Sequence, residues 1–78
     1  MSKFVKLTEC EVLHDVMQER ATCFINPDHV TYIEEDEYFK GYSFIGLVGG
    51  QPTIVKGTPE QIVEKFRGKR WLKIIPLL

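Results

Sequence analysis

The chain has 78 residues and a formal net charge of −1, and 44% of its residues are hydrophobic and 12% aromatic. This composition excludes a disordered chain, and no apolar run approaches the ~18 residues that a membrane span needs. The first ten residues, MSKFVKLTEC, lack the apolar segment of a signal peptide, so we expect a cytoplasmic protein with two reduced cysteines.

Charge is unevenly distributed along the chain. Residues 1–39 hold nine acids and three bases, whereas residues 40–78 hold seven bases and two acids. This polarity could steer a charged partner or favour head-to-tail contact between copies. Alternatively, strands from the two halves interleave in the fold and cancel the field.

The first half of the chain is rich in β-forming segments. KFVKLT predicts strand one, because β-branched and aromatic residues favour pleated structure. The next stretch, CEVLHDVMQER, is ambiguous, since its apolar residues Val12, Leu13, Val16 and Met17 also suit one face of a helix. The β-like flanks favour a strand that runs to about Leu13 and turns through HDVMQE.

Four more strands follow, separated by turn signals. ATCFI predicts strand two, and Asn-Pro-Asp at 26–28 predicts a turn. HVTYIEE alternates, with Val30 and Tyr32 expected on one side and Thr31 and Ile33 on the other. YSFIGLV and PTIVKG predict strands four and five, joined by a tight turn at GGQ.

One helix is predicted near the end of the chain. Thr58 is the expected N-cap, Pro59 the first helical residue and Gln61 the partner in a capping box. Gly68 is the expected residue just after the helix. The apolar stripe comprises Ile62, Val63 and Phe66.

These elements predict an α+β fold: a small antiparallel β-sheet of about five strands in a meander, one C-terminal α-helix packed on it, and an extended C-terminal tail. Residues 1–68 form the domain and residues 69–78 a basic and apolar extension. Pro76 has no N–H and limits the extension to an edge strand or an interface segment.

The extension carries a dense set of large apolar side chains that one short helix and a small sheet cannot all bury. A bare patch of this kind would favour aggregation. We predict that it contacts another protein, first of all a second copy of this chain, although packing on its own domain stays an alternative. The predicted interface residues are Trp71, Leu72, Ile74, Ile75, Leu77 and Leu78.

A basic cluster surrounds the tryptophan and suggests a second function. Phosphate contacts beside an aromatic platform are typical of single-strand nucleic-acid binding. The sequence pI near 6 and the acidic half argue against that function. The residues concerned are Lys65, Arg67, Lys69, Arg70 and Lys73.

Two cysteines and two histidines form a weak metal candidate. Two thiolates and two imidazoles could hold zinc, and Cys10 and His14 have a spacing that suits a helix, but Cys23 and His29 are separated by a turn. The acidic run from Glu34 to Glu37 lacks the spaced oxygens of a calcium loop and predicts a solvated loop. We therefore expect no metal, no cofactor and no catalytic site.

Three stretches of the chain together resemble a known family: FVKLT, INPDHVTYIE and GLVGGQPTIVKGTPEQIVEKF. They are similar to small FlbD-type proteins of bacterial flagellar operons and to related uncharacterised bacterial and phage proteins. Residues 9–20 are longer than the first hairpin of that family, and the tail after Phe66 is not shared. The resemblance implies a non-enzymatic accessory role. The matching positions are Asn26, Pro27, Asp28, Ile33, Glu34, Leu47, Gly49, Gly50, Val55, Lys56, Pro59, Glu60 and Ile62.

The predicted function is a non-catalytic protein-interaction or accessory module that self-associates through residues 69–78. The alternative is a nucleic-acid-binding accessory or regulatory protein that uses the basic cluster at 65–73.

Overall fold

The structure, a computed structural model, describes residues 4–70 and, among these, the side chains of residues 4–68. A short 3₁₀ helix at Pro27–His29 separates the second and third strands. The elements are β1 (Val5–Leu13), β2 (Val16–Ile25), β3 (Val30–Glu35), β4 (Tyr42–Leu47), β5 (Thr53–Lys56) and α1 (Pro59–Arg70). An antiparallel sheet with one C-terminal helix confirms the predicted α+β fold.

The first two strands form a long hairpin. β1 and β2 pair from Val5 opposite Ile25 to Leu13 opposite Val16. Only His14 and Asp15 lie between the strands, and both have positive φ, 51° and 64°. Two residues with positive φ match the type I′ turn, whose twist suits a hairpin. The prediction that strand one runs to about Leu13 is confirmed, and the helical alternative is wrong. The predicted turn through HDVMQE is too long, because β2 already begins at Val16.

The sheet order is β2-β1-β5-β4-β3. The simple up-and-down meander is confined to β3, β4 and β5, and β5 pairs with β1. The two edge strands, β2 and β3, are joined by only four residues, 26–29. A flat five-stranded sheet would hold its edges ~19 Å apart. A single 3₁₀ turn cannot span that distance. The sheet must therefore curl so that its two edge strands, β2 and β3, approach each other.

The turn at residues 26–29 forms as its sequence predicts. Asn26 is extended, with φ −84° and ψ 114°, as expected before a proline. Its side-chain oxygen accepts a hydrogen bond from the N–H of Asp28 at 3.0 Å, and its carbonyl accepts from His29 at 2.9 Å. The side chain of Asn26 therefore makes a hydrogen bond that shapes this turn.

β3 departs from the predicted alternation. Val30 pairs with Leu47 and Tyr32 with Gly46, so Thr31 is an extra residue in the ladder. A bulge of this kind shifts the side-chain order by one. As a result Val30 and Ile33 both pack against the core while Tyr32 is exposed, and the prediction that Val30 and Tyr32 share a side opposite Ile33 is wrong.

The helix begins as predicted and ends later. Thr58 Oγ1 accepts from the N–H of Gln61 at 3.2 Å, and Gln61 Oε1 accepts from the N–H of Thr58 at 3.0 Å, which is the capping box. α1 continues to Arg70, so Gly68 lies inside it and the prediction that Gly68 follows the helix is wrong. Val63 is 41% exposed and does not share in the buried stripe.

The core lies on one face of the curled sheet, which we call the inner face. Ile62 and Phe66 of α1 pack there against the sheet. β5, from the basic half of the chain, lies between β1 and β4, so the two halves do interleave. Within residues 4–70, no helix is long and apolar enough to cross a membrane. The buried strand residues of the core are Val5, Leu7, Ile25, Ile45 and Val55.

Candidate interaction surface

A row of side chains crosses all five strands on the face opposite the core, which we call the outer face. Cross-strand pairing places Cys10 beside Ile54, and Ile54 beside Phe44. Glu19 continues the row on β2 and Glu34 on β3. The three central members are apolar and the two outermost are acidic. Since α1 packs on the inner face, this apolar row is left without a helix above it.

A cavity of about 360 Å³ opens over one part of this row, and we call it the outer groove. Val12, Phe44 and Ile54 line it from the sheet, and Tyr38 and Phe39 line it from the loop after β3. The remaining lining residues are all acidic: Glu34, Glu35, Asp36 and Glu37. The groove therefore combines an apolar interior with a negatively charged rim.

Asp36 holds the loop that carries the aromatic residues of the groove. Its side-chain Oδ1 accepts hydrogen bonds from the backbone N–H groups of Tyr38 at 2.8 Å and Phe39 at 3.1 Å. Its own N–H donates to the carbonyl of Tyr42 at 2.9 Å. Asp36 is buried, whereas the Tyr38 side chain is 82% exposed. A buried carboxylate thus fixes the backbone from which an exposed aromatic ring projects.

The end of the β1–β2 hairpin carries exposed apolar residues on both of its faces. The pairing of β1 with β5 involves only Glu9 and Cys10, so the hairpin continues beyond it. Val12, Leu13 and Val16, close to the turn, are all exposed. Val12 lines the groove, whereas Leu13 and Val16 pair with each other on the opposite face.

An ion pair lies over the row next to Cys10. Lys56 Nζ is 2.8 Å from Glu19 Oε2 and links β5 to β2 across the intervening β1. The hydrogen bond to Glu19 raises the pKa of Lys56. Burial raises the pKa of the Cys10 thiol, and the charge of Glu19 raises it further. Cys10 is therefore held as a neutral thiol, which is a poor nucleophile.

The four candidate zinc ligands occupy different parts of the fold. Cys10 pairs with Ile54 on the outer face, whereas Cys23 pairs with Leu7 on the inner face. His14 lies in the hairpin turn, and His29 ends the 3₁₀ helix at the other end of β2. In the part of the chain that the structure describes, no group of three or more Cys, His, Asp or Glu is placed to hold a metal. Burial also raises the pKa of Cys23.

Part of the basic cluster lies on the exposed side of α1. The side chains of Lys65 and Arg67 are exposed. Arg67 also lies 3.7 Å from the carboxylate of Glu64, one turn earlier on the helix. The side chains of Lys69 and Arg70, together with Lys73, lie outside the described residues, as do the predicted interface residues Trp71, Leu72, Ile74, Ile75, Leu77 and Leu78.

The apolar and aromatic residues of the outer groove were not singled out as a site by the sequence predictions, and its acidic residues were predicted to form a solvated loop. A signal was present, because Val12–Leu13, Phe44–Ile45 and Ile54–Val55 are consecutive apolar pairs within strands. Neighbouring residues of a strand point to opposite faces, so such pairs indicate that both faces are apolar.

The outer groove can bind an apolar segment in its interior and positive charge at its rim, since exposed carboxylates attract cations and apolar side chains gain from burial. The described residues that surround it offer no activated nucleophile, because Cys10 is neutral and buried. Comparisons with protein-family models, with curated proteins and with solved structures found no match for this chain.

Proposed function

We propose that this chain is a non-catalytic protein-interaction or accessory module that self-associates through its C-terminal segment, residues 69–78. The observation that carries the proposal is the apolar row on the outer face of the sheet, where Phe44 and Ile54 stay only half-buried because α1 packs on the opposite face. A surface of this kind is stabilised when a partner removes it from water.

The small size of the domain supports the same proposal. A chain of 78 residues buries only ~60–65% of its unfolded surface, so further burial against a partner adds directly to a small stability. The core has seven buried apolar side chains among the described residues, and α1 contributes two of them. An associating surface would compensate for that limited core.

The chemistry of the C-terminal segment complements this surface. KRWLKIIPLL joins three cationic residues to six large apolar ones. The role we propose is the kind of accessory function that the resemblance to FlbD-type proteins implies. We propose a cytoplasmic setting as well, in which Cys10 and Cys23 stay reduced, and both are free in the described structure.

The proposal is tested by the mass of the protein in solution. Light scattering of the full chain is expected to give at least twice the mass of one copy. The full-length variant Ile75→Ser/Leu77→Ser is expected to shift the mass towards one copy. The control Val48→Ser/Val63→Ser also replaces two apolar side chains by serine, at exposed positions of the domain, and should leave the mass unchanged. A mass of one copy for the unaltered chain at every concentration would remove the proposal.

Nucleic-acid binding is the second candidate, and the exposure of Lys65 and Arg67 on α1 favours it. Glu64 beside Arg67, and Glu60 on the same helix, weaken the positive field that a phosphate backbone would meet. A shift assay with single-stranded DNA at ~50 mM salt decides, because phosphate contacts strengthen steeply as salt falls. Absence of binding under that condition would eliminate this candidate.

A further inference from the structure

The outer groove has an apolar interior, an acidic rim and a wall of two aromatic residues, and the fold alone does not explain this combination. Its floor on the sheet consists of Val12, Phe44 and Ile54, whereas the solvent-facing side of an antiparallel sheet is ordinarily polar. Within residues 4–68, the ion pairs engage other carboxylates, and Glu34, Glu35 and Glu37 have no cationic partner. These features indicate a ligand that is both apolar and positively charged.

The C-terminal segment of the chain itself has this composition. Lys69, Arg70 and Lys73 supply the positive charge, and six large apolar side chains lie among and after them. One of the basic residues lies among the apolar ones: Lys73 follows Leu72 and precedes Ile74. A segment of this kind can place apolar side chains into a groove while its cations meet acidic residues at the rim.

We propose that the outer groove receives residues 69–78 of a second copy of this chain. This inference rests on the proposed function and identifies the surface at which self-association occurs. Apolar side chains of the segment pack against Val12, Phe44, Ile54 and the aromatic wall, and its cations pair with Glu34, Glu35 and Glu37.

A second copy suits the geometry better than the segment of the same copy. α1 packs on the inner face through Ile62 and Phe66, whereas the groove opens on the outer face. The segment of the same copy would have to turn back round an edge of the sheet after α1, whereas the segment of a second copy needs no such turn.

The free edge of β2 is a weaker receptor than the groove. Arg20 has no partner residue in the β1–β2 ladder and forms a bulge there, because Glu9 pairs with Ala21 and Cys10 with Glu19. A bulge and charged side chains on an edge strand oppose the addition of a further strand. In addition, Pro76 in the segment lacks the N–H that strand pairing needs.

A charge-swap experiment with full-length chains tests the proposal. One variant carries Glu34→Lys and Glu37→Lys on the rim, and the other carries Lys69→Glu and Lys73→Glu in the segment. Each alone is expected to dimerise about tenfold more weakly than the unaltered chain, because like charges then face each other. An equimolar mixture is expected to form a 1:1 complex in sedimentation velocity, since the altered segment matches the altered rim.

The control variant Glu60→Lys/Glu64→Lys changes the net charge by the same amount on α1, away from the groove. It should dimerise like the unaltered chain and should form no stronger complex with the segment variant. Circular dichroism verifies that each variant keeps its fold.

The outcomes separate the two proposals. If the unaltered chain dimerises and the rim variant dimerises equally well, the groove is not the receptor, and self-association at another surface stands. If the unaltered chain has the mass of one copy, both proposals fall. If all variants dimerise less but the mixture does not recover, the segment does not bind in the groove.

Discussion

Asp36 accepts a 2.8 Å hydrogen bond from the backbone N–H of Tyr38, and this contact links a buried carboxylate to the most exposed aromatic ring of the groove. A second bond from the N–H of Phe39, at 3.1 Å, ends on the same oxygen. Asp36 therefore holds the backbone of the loop after β3, which lies at the end of an edge strand. We expect these bonds to lower the entropic cost of ordering Tyr38 and Phe39 when a ligand binds.

Replacement of Asp36 tests this link. Asp36→Ala leaves two N–H groups without their acceptor and is expected to lower the free energy of unfolding by about 1–2 kcal/mol, as loss of a helix N-cap does. Asp36→Asn keeps an oxygen in place and should lose less than half of that. Urea unfolding at pH 7 measures both variants, and equal losses for the two would contradict the role given to the acceptor oxygen.

Gly68 tests the position at which α1 ends. Inside a helix, Gly68→Ala is expected to stabilise the protein by about 0.5–1 kcal/mol, because alanine loses less backbone entropy and has the higher helix propensity. After a helix end with positive φ, the same change would destabilise. Gly41→Ala is the matched control, since Gly41 has a φ of 89° and should lose stability. A shift of the urea midpoint to lower concentration for Gly68→Ala would place the helix end at residue 67.

Gly46 lies under the ring of Tyr32, its partner on β3. A Cβ at position 46 would overlap the Tyr32 ring and crowd the hydroxyl of Thr31. Gly46→Ala is therefore expected to cost about 1–2 kcal/mol, as overpacking does. In a Tyr32→Ala background the cost should fall, with a coupling of at least about 0.5 kcal/mol in a double-mutant cycle. Additive losses would mean that the ring does not restrict this glycine.

Stability is expected to fall at alkaline pH because of the cysteines. The pKa of Cys10 is raised in the fold above its ordinary value of 9.0, first by burial and then by Glu19, and burial also raises the pKa of Cys23. Between the two pKa values the unfolded chain loses a proton that the folded chain keeps. The stabilisation is therefore complete below the unfolded pKa and is lost as pH rises towards the folded value.

Urea midpoints at about pH 8 and about pH 10 measure this loss. Cys10→Ala/Cys23→Ala should show a smaller decrease between the two pH values than the unaltered chain, whatever its absolute stability. Lys56, whose pKa is raised above 10.5, is present in both proteins and titrates mainly at higher pH. An equal decrease in both proteins would assign the pH dependence to other groups.

The elements of the fold could be predicted because local rules decide them. The capping box of Thr58 and Gln61, the Asn26 turn and the alternation of β1 are all short-range features. The sheet order could not be predicted in the same way, because nothing local requires β5 to pair with β1. The bulge at Thr31 could not be predicted either, because it depends on the pairing of Gly46 on β4 with Tyr32 on β3, and no local pattern sets that pairing.

The outer groove could not be predicted from the sequence for a related reason. Its residues come from β1, β3, β4, β5 and the loop after β3, and only the sheet order brings Val12 near Phe44. The acidic run was interpreted as a solvated loop, and Glu34, Glu35 and Glu37 are indeed exposed. Asp36 differs from its neighbours because its side chain turns back to the backbone N–H groups of its own loop.

Trp71 is the only tryptophan of the chain and lies within the C-terminal segment, so its fluorescence reports on that segment alone. If the segment binds to a second copy, the Trp71 emission moves to shorter wavelength as protein concentration rises, and iodide quenching falls in parallel. The shift should be lost in the rim variant Glu34→Lys/Glu37→Lys. Emission that is independent of concentration, whether typical of a buried or of a solvent-exposed indole, would contradict intermolecular binding of the segment.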